Sequence, residues 1–129
     1  MFVKVRRAFT IGAVLFLLLL FLLPARFLRG WCAELNGLCD QVLESDRIGA
    51  AIDARTAYDA LQSEYEIMRR VAELFLDHRV IDEATGPLRL MGVYLDAGDS
   101  VSLRAAAAEF RQALDCMLAI ETGDLRLLL

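Results

Sequence analysis

His78 is the single histidine of the 129-residue chain; it directly follows Asp77 and precedes Asp82 by four residues. An imidazole between carboxylates can move a proton or contribute ligands to a metal, which makes Asp77, His78 and Asp82 the candidate metal or catalytic residues. A plainer electrostatic account competes. His78 and Arg79 at the C-terminal end of one helix would oppose its dipole, and Asp82 would cap the next. A catalytic zinc normally needs three protein ligands, and no second histidine or neighbouring cysteine supplies one. The expectation is a protein that is not an enzyme and holds no cofactor or metal. A small metal-binding sensor or enzyme centred on Asp77, His78 and Asp82 is the alternative.

The three cysteines, Cys32, Cys39 and Cys116, form no metal motif. Cys32 and Cys39 share a helix face but lie ~10.5 Å apart by rise, too far to bridge each other. An odd count permits an intermolecular disulfide through Cys32 or Cys39 between two parallel chains. Buried, inert thiols are the competing account. Ser45, Ser63, Ser100 and Ser102 stand in no nucleophile-elbow context, and neither GxGxxG nor GxxxxGK[ST] occurs.

The elements that must carry these residues are helices, because the apolar positions step by three and four with no alternating stretch. The stripes are Trp31, Leu35, Leu38 and Val42; then Ile48, Ile52, Tyr58, Leu61, Tyr65, Met68, Ala72 and Phe75; then Ile81, Ala84, Leu88, Met91 and Leu95; then Leu103, Ala107, Phe110, Leu114 and Met117. Ser45 or Asp46 is expected to cap the second helix. Gly86 and Pro87 either kink the third or open it, Gly98 ends it, and Asp99 or Ser100 caps the fourth. Gly123 is expected to close the fourth helix and the leucine-rich tail to pack back. Burying these stripes together predicts an all-α fold: a small antiparallel bundle of three to four helices over residues 30–129. Asp53, Asp59, Glu64, Glu66 and Glu73 read as a solvated helix face, or alternatively as a surface for a basic partner.

The N-terminal third differs. Residues 1–29 hold Lys4, Arg6, Arg7, Arg26 and Arg29 and no acid, so they carry +5, while the other 9 basic and all 18 acidic side chains give the remainder −9. A domain of that charge excludes nucleic acid as a partner, since it cannot replace the counterions around phosphates. Ala8 to Leu23 is 16 residues without a charge. Extended to about Leu28, with Arg26 and Arg29 snorkelling and Trp31 beyond, it reads as a transmembrane anchor over 8–28 behind a basic N-terminus over 1–7. A cleaved secretory signal competes, but cutting after Ala25 or Ala33 leaves Leu23 or Trp31 at the −3 position, where a small residue is needed. The flanking cations place the N-terminus in the cytoplasm and the acidic domain outside a cell membrane, crossed once.

The run LFLDHRVID over 74–82, the segment from Leu88 to Leu90, YLDAGD over 94–99 and the leucine-ending tail together resemble a bacterial family of short single-span proteins classed only as a domain of unknown function. The resemblance implies a basic N-terminus, one membrane helix and acidic helices, and brings no activity, substrate or cofactor. The chain departs from that pattern at Gly86–Pro87 and in its near absence of lysine. The functional expectation is a membrane-anchored helical interaction or scaffold module, whose partners are the lipid bilayer and another protein or a second copy of the chain.

Overall fold

A computed structural model of the chain describes residues 2–74 and 76–121, with the side chains of residues 2, 21–25 and 121 outside the description. Among the described residues the helices are α1 (Phe2–Arg47), α2 (Ala51–Ala72), α3 (His78–Ala97) and α4 (Ser100–Glu121). The expected all-α bundle is present. Phe75, Gly123 and the tail residues Leu125, Leu127, Leu128 and Leu129 lie outside the described residues.

Two turns fold the chain into hairpins by the same device. Gly49 and Gly98 adopt φ of +78° and +69°, the left-handed conformation that glycine takes without a Cβ penalty at a helix end. Beyond each, an amide reaches back to close the final turn: Ala50 N–H donates to Ser45 O at 2.9 Å and Asp99 N–H to Tyr94 O at 3.0 Å. Consequently Ser45 and Asp46 belong to the last turn of α1 and do not cap α2, whose N-cap, Ala50, has no side-chain bond. Asp99 does cap α4, its carboxylate accepting from Ser102 N–H at 3.1 Å, and hydrogen bonds from the Ser102 side chain first and its N–H second lower its pKa.

Within the bundle, α1 packs along α2 and α4, and α3 packs most extensively on α4. The buried face of α1 is Leu28, Cys32, Leu35, Cys39 and Val42, with spacings of four, three, four and three that keep one seam inward. Trp31 and Leu38, expected on that stripe, flank it as partly buried residues. Tyr58, Leu61, Tyr65 and Met68 of α2 meet Ile81, Leu88 and Met91 of α3 and Leu103, Phe110, Leu114 and Met117 of α4 in one core. Leu95 is partly buried against it. Ile48 and Ile52 depart from expectation at 64% and 83% exposed, because the Gly49 turn resets the helical phase.

The third helix runs through Gly86 and Pro87 without interruption. Proline withdraws the N–H that Glu83 O would accept, and Glu83 and Gly86 lie on the exposed side, where water can serve that carbonyl. Two tyrosines seven residues apart on α2 bind the inner side of α3. Tyr58 Oη donates to Leu88 O at 2.8 Å, and Tyr65 Oη donates to Ile81 O at 2.9 Å while lying 2.7 Å from Thr85 Oγ1. Tyr65 also meets the Phe110 ring edge-on at 5.7 Å between centroids. Burial raises the pKa of both phenols. Gly92 is what lets Tyr58 approach: a Cβ there would stand 2.6 Å from Tyr58 Oη and 2.9 Å from Cζ.

The transmembrane anchor over 8–28 is corrected. Among the described residues no helix is long and apolar enough to cross a membrane. The uncharged apolar run from Ala8 to Leu23 rises ~24 Å against the ~30 Å hydrocarbon core, and going further back meets Arg7, Arg6 and Lys4. The expected single pass, membrane location and sidedness fall with that anchor. The helix α1 continues from Phe2 through the segment 8–28 and into the bundle, ending at Arg47.

Replacing Gly92 by Ala should destabilise the fold by ~1–3 kcal/mol through overpacking. In thermal melts followed by circular dichroism, Tyr58→Phe and Gly92→Ala should be less than additive, because both disturb one contact. Full additivity would show that the Tyr58 approach does not depend on Gly92.

Candidate functional site

The structure disperses the roles expected of the acid–histidine cluster. Asp77 is the N-cap of α3, its carboxylate accepting from Arg79 N–H at 3.3 Å, and His78 is the first residue of that helix. The expected placement of His78 and Arg79 at the end of α2 is therefore corrected; Arg69 and Arg70 occupy its last turn. Asp82 lies exposed within the first turns of α3 and is not the cap. Among the described residues no group of three histidine, cysteine or acidic side chains could hold a metal ion.

Cys32 and Cys39 face the core at 1% and 0% exposure. An intermolecular disulfide through either would require opening the bundle, because the seam that aligns them is the one α1 buries. Cys116 is partly exposed. Burial, with Asp115 nearby as a lesser cause, pushes the Cys32 thiol up to about 11. Burial likewise raises Cys39, opposed by a hydrogen bond from Arg111.

Arg111 is the principal polar tie between α4 and α1. Its guanidinium pairs with the Asp40 carboxylate and donates to Asn36 O at 3.3 Å, while its Nε is buried without a partner. Beside it, a shallow cleft of about 560 Å³ is lined by Asp40, Leu43, Glu44, Asp46, Arg47, Ser100 and Arg104. Opposite charges alternate there, and Arg47 already pairs with Glu44. The acids expected to form a face on α2 are similarly engaged in part: Asp59 with Arg55, and Glu66 and Glu73 with Arg69. Arg55 also reaches Asp96 of α3 at 2.8 Å. Those cross-helix pairs join residues 41 and 71 apart in sequence, so no local pattern announces them.

The remaining feature is the arm of α1 before Leu28. From Val3 to Leu20 its large apolar side chains are 50–79% exposed, on every side of the helix. Phe27 is exposed and meets the partly buried Trp31 with the rings tilted by 51° and 5.4 Å between centroids, where the arm enters the bundle. Leu74 and Ile120 are also exposed apolar residues. No family model matches the chain, no curated protein matches it and no solved structure matches it.

The thiols provide a direct check. At pH 8, Cys116 should react with an aromatic disulfide reagent in the native protein, and Cys32 and Cys39 only on unfolding. Since the native Cys32 thiol titrates above the ordinary value of 9.0, its contribution to stability is complete below pH 9 and is lost as the pH rises through about 11. Cys32→Ala should flatten that part of the alkaline decline in urea unfolding. An unchanged slope would contradict the burial assignment.

Proposed function

We propose that this protein is a helical interaction module in which the four-helix bundle is a stand and the N-terminal half of α1 is the docking element. The observation that carries this reading is the arm's exposure. A helix apolar all round is stable only when other molecules cover it, and exposed apolar patches of this extent mark association surfaces. The bundle supplies what a stand requires: a continuous core, capped hairpins and cross-helix ion pairs. The metal or enzyme reading centred on Asp77, His78 and Asp82 has less support, because Asp77 is engaged as a helix cap and among the described residues no group of three histidine, cysteine or acidic side chains could hold a metal ion.

A photoreactive phenylalanine analogue placed at Leu18 of the full chain should give protein adducts on irradiation in cells, while the same probe at Gln62 on the bundle should not. The adducts should disappear when Leu15 and Leu19 are both replaced by Glu, with bundle helicity retained. Absence of adducts at Leu18, or equal yields at Gln62, would overturn the proposal.

A further inference from the structure

The nature of the occupant follows from charge and area, and it rests on the interaction-module reading. We propose that the arm is covered by arms of other copies of this chain, packed antiparallel so that each tip lies beside the other copy's bundle.

Area makes the pairing feasible. The arm outside the bundle, residues 2–27, is a cylinder ~39 Å long and ~10 Å wide, with ~1,200 Å² of lateral surface. Two arms sharing half of that surface bury ~1,200 Å² in total, the lower limit of a specific interface. Apolar side chains remain on the outer half, so two such pairs can close into a four-arm bundle by the same kind of contact. The pair is the unit, and four chains complete the cover.

Charge selects the direction. The tip carries Lys4, Arg6 and Arg7, and the chain's first acid is Glu34. Parallel arms would set three cations against three and one −9 segment against another. Antiparallel arms separate the bundles by about the arm's length, ~39 Å, several times the Debye length of ~8 Å at physiological salt. Each cationic tip then meets a bundle of opposite net sign. Arg26 and Arg29 stand near the foot of the arm, so the attraction is to the bundle as a whole and not to one partner side chain.

Shape agrees with that direction. When residues 2–27 of two copies overlap end to end, position 12 faces position 17 and position 13 faces position 16. Gly12 then lies opposite Leu17, and Ala13 opposite Phe16. Apart from its chain neighbours and the backbone of its own helix turns, no described atom comes within 4 Å of where a Gly12 Cβ would be, so that gap is open to a neighbour's side chain.

Sedimentation velocity of the full chain in detergent-free buffer should give two or four times the chain mass of 14.4 kDa. Ala13→Glu with Phe16→Glu, on the face that pairs, should reduce it to one chain without changing the bundle's melting transition. In a background without native cysteines, a mixture of Phe9→Cys and Leu20→Cys chains should crosslink with a short bis-maleimide, and Phe9→Cys alone should not. A monomer, a particle of no defined mass, or efficient crosslinking of Phe9→Cys with itself would overturn the proposal. A monomer that co-floats with phosphatidylglycerol vesicles would do so by assigning the arm to lipid. If the Leu18 probe captures another protein while the purified chain is monomeric, the interaction reading survives and self-association does not.

Discussion

Everything in this molecule depends on α1 being one helix with two different environments along it. Its second half can hold a seam against α2 and α4 because Leu28, Cys32, Leu35, Cys39 and Val42 recur at the spacing that keeps one face inward. Its first half has no such seam, because apolar side chains occupy the entire circumference. Continuity between the halves fixes the direction in which the arm leaves the bundle. Small thiols at Cys32 and Cys39 suit that seam, where larger side chains would push α4 away and loosen the Arg111–Asp40 pair beside them.

The two hairpins are held together by chemistry of another kind. Close backbone approach between α2 and α3 is sparse, and beside the apolar core they share they are tied by two phenol hydroxyls on α3 carbonyls and the Arg55–Asp96 pair. A buried hydroxyl without a partner costs ~1–3 kcal/mol, so these bonds specify how α2 sits on α3 more than they add net stability. Gly92 supplies the space for one of them and Thr85 shares the other. Pro87 can occupy the interior of α3 because the carbonyl it leaves unserved faces away from that contact.

Long helical stripes were legible in the sequence because a period of 3.6 records burial directly. Leu61, Met68, Leu88, Met91, Phe110 and Leu114 lie in the core as their spacing predicts. The ends were harder to read. Ser45 and Asp46 have the right chemistry for an N-cap, yet Gly49 imposes a left-handed turn that carries α1 past them. Gly86 and Pro87 in α3 could be read as a kink or as a start, since sequence does not reveal which side of a helix faces water. His78 changes from the end of one helix to the start of another for the same reason: Asp77 captures the amide of Arg79 and starts α3 there. The apolar run after Arg7 was conspicuous, but hydrophobicity alone does not distinguish a helix that crosses a bilayer from one that needs other cover. Of the polar ties, none was legible, because Arg111 with Asp40 and Tyr58 with Leu88 are joined only by the fold.

One consequence of the α1 geometry is mechanical. The length outside the bundle, residues 2–27, exceeds the length seated within it, residues 28–47. A sideways pull at Lys4 therefore acts as torque on a shorter socket, and the force on the socket walls is larger than the force applied. Leu28 at one rim and Val42 with the Asp40–Arg111 pair towards the other would bear opposite loads. Whatever grips the arm thereby also strains the seam between α1 and α4, so the bundle is built as a lever's fulcrum as much as a weight at its end.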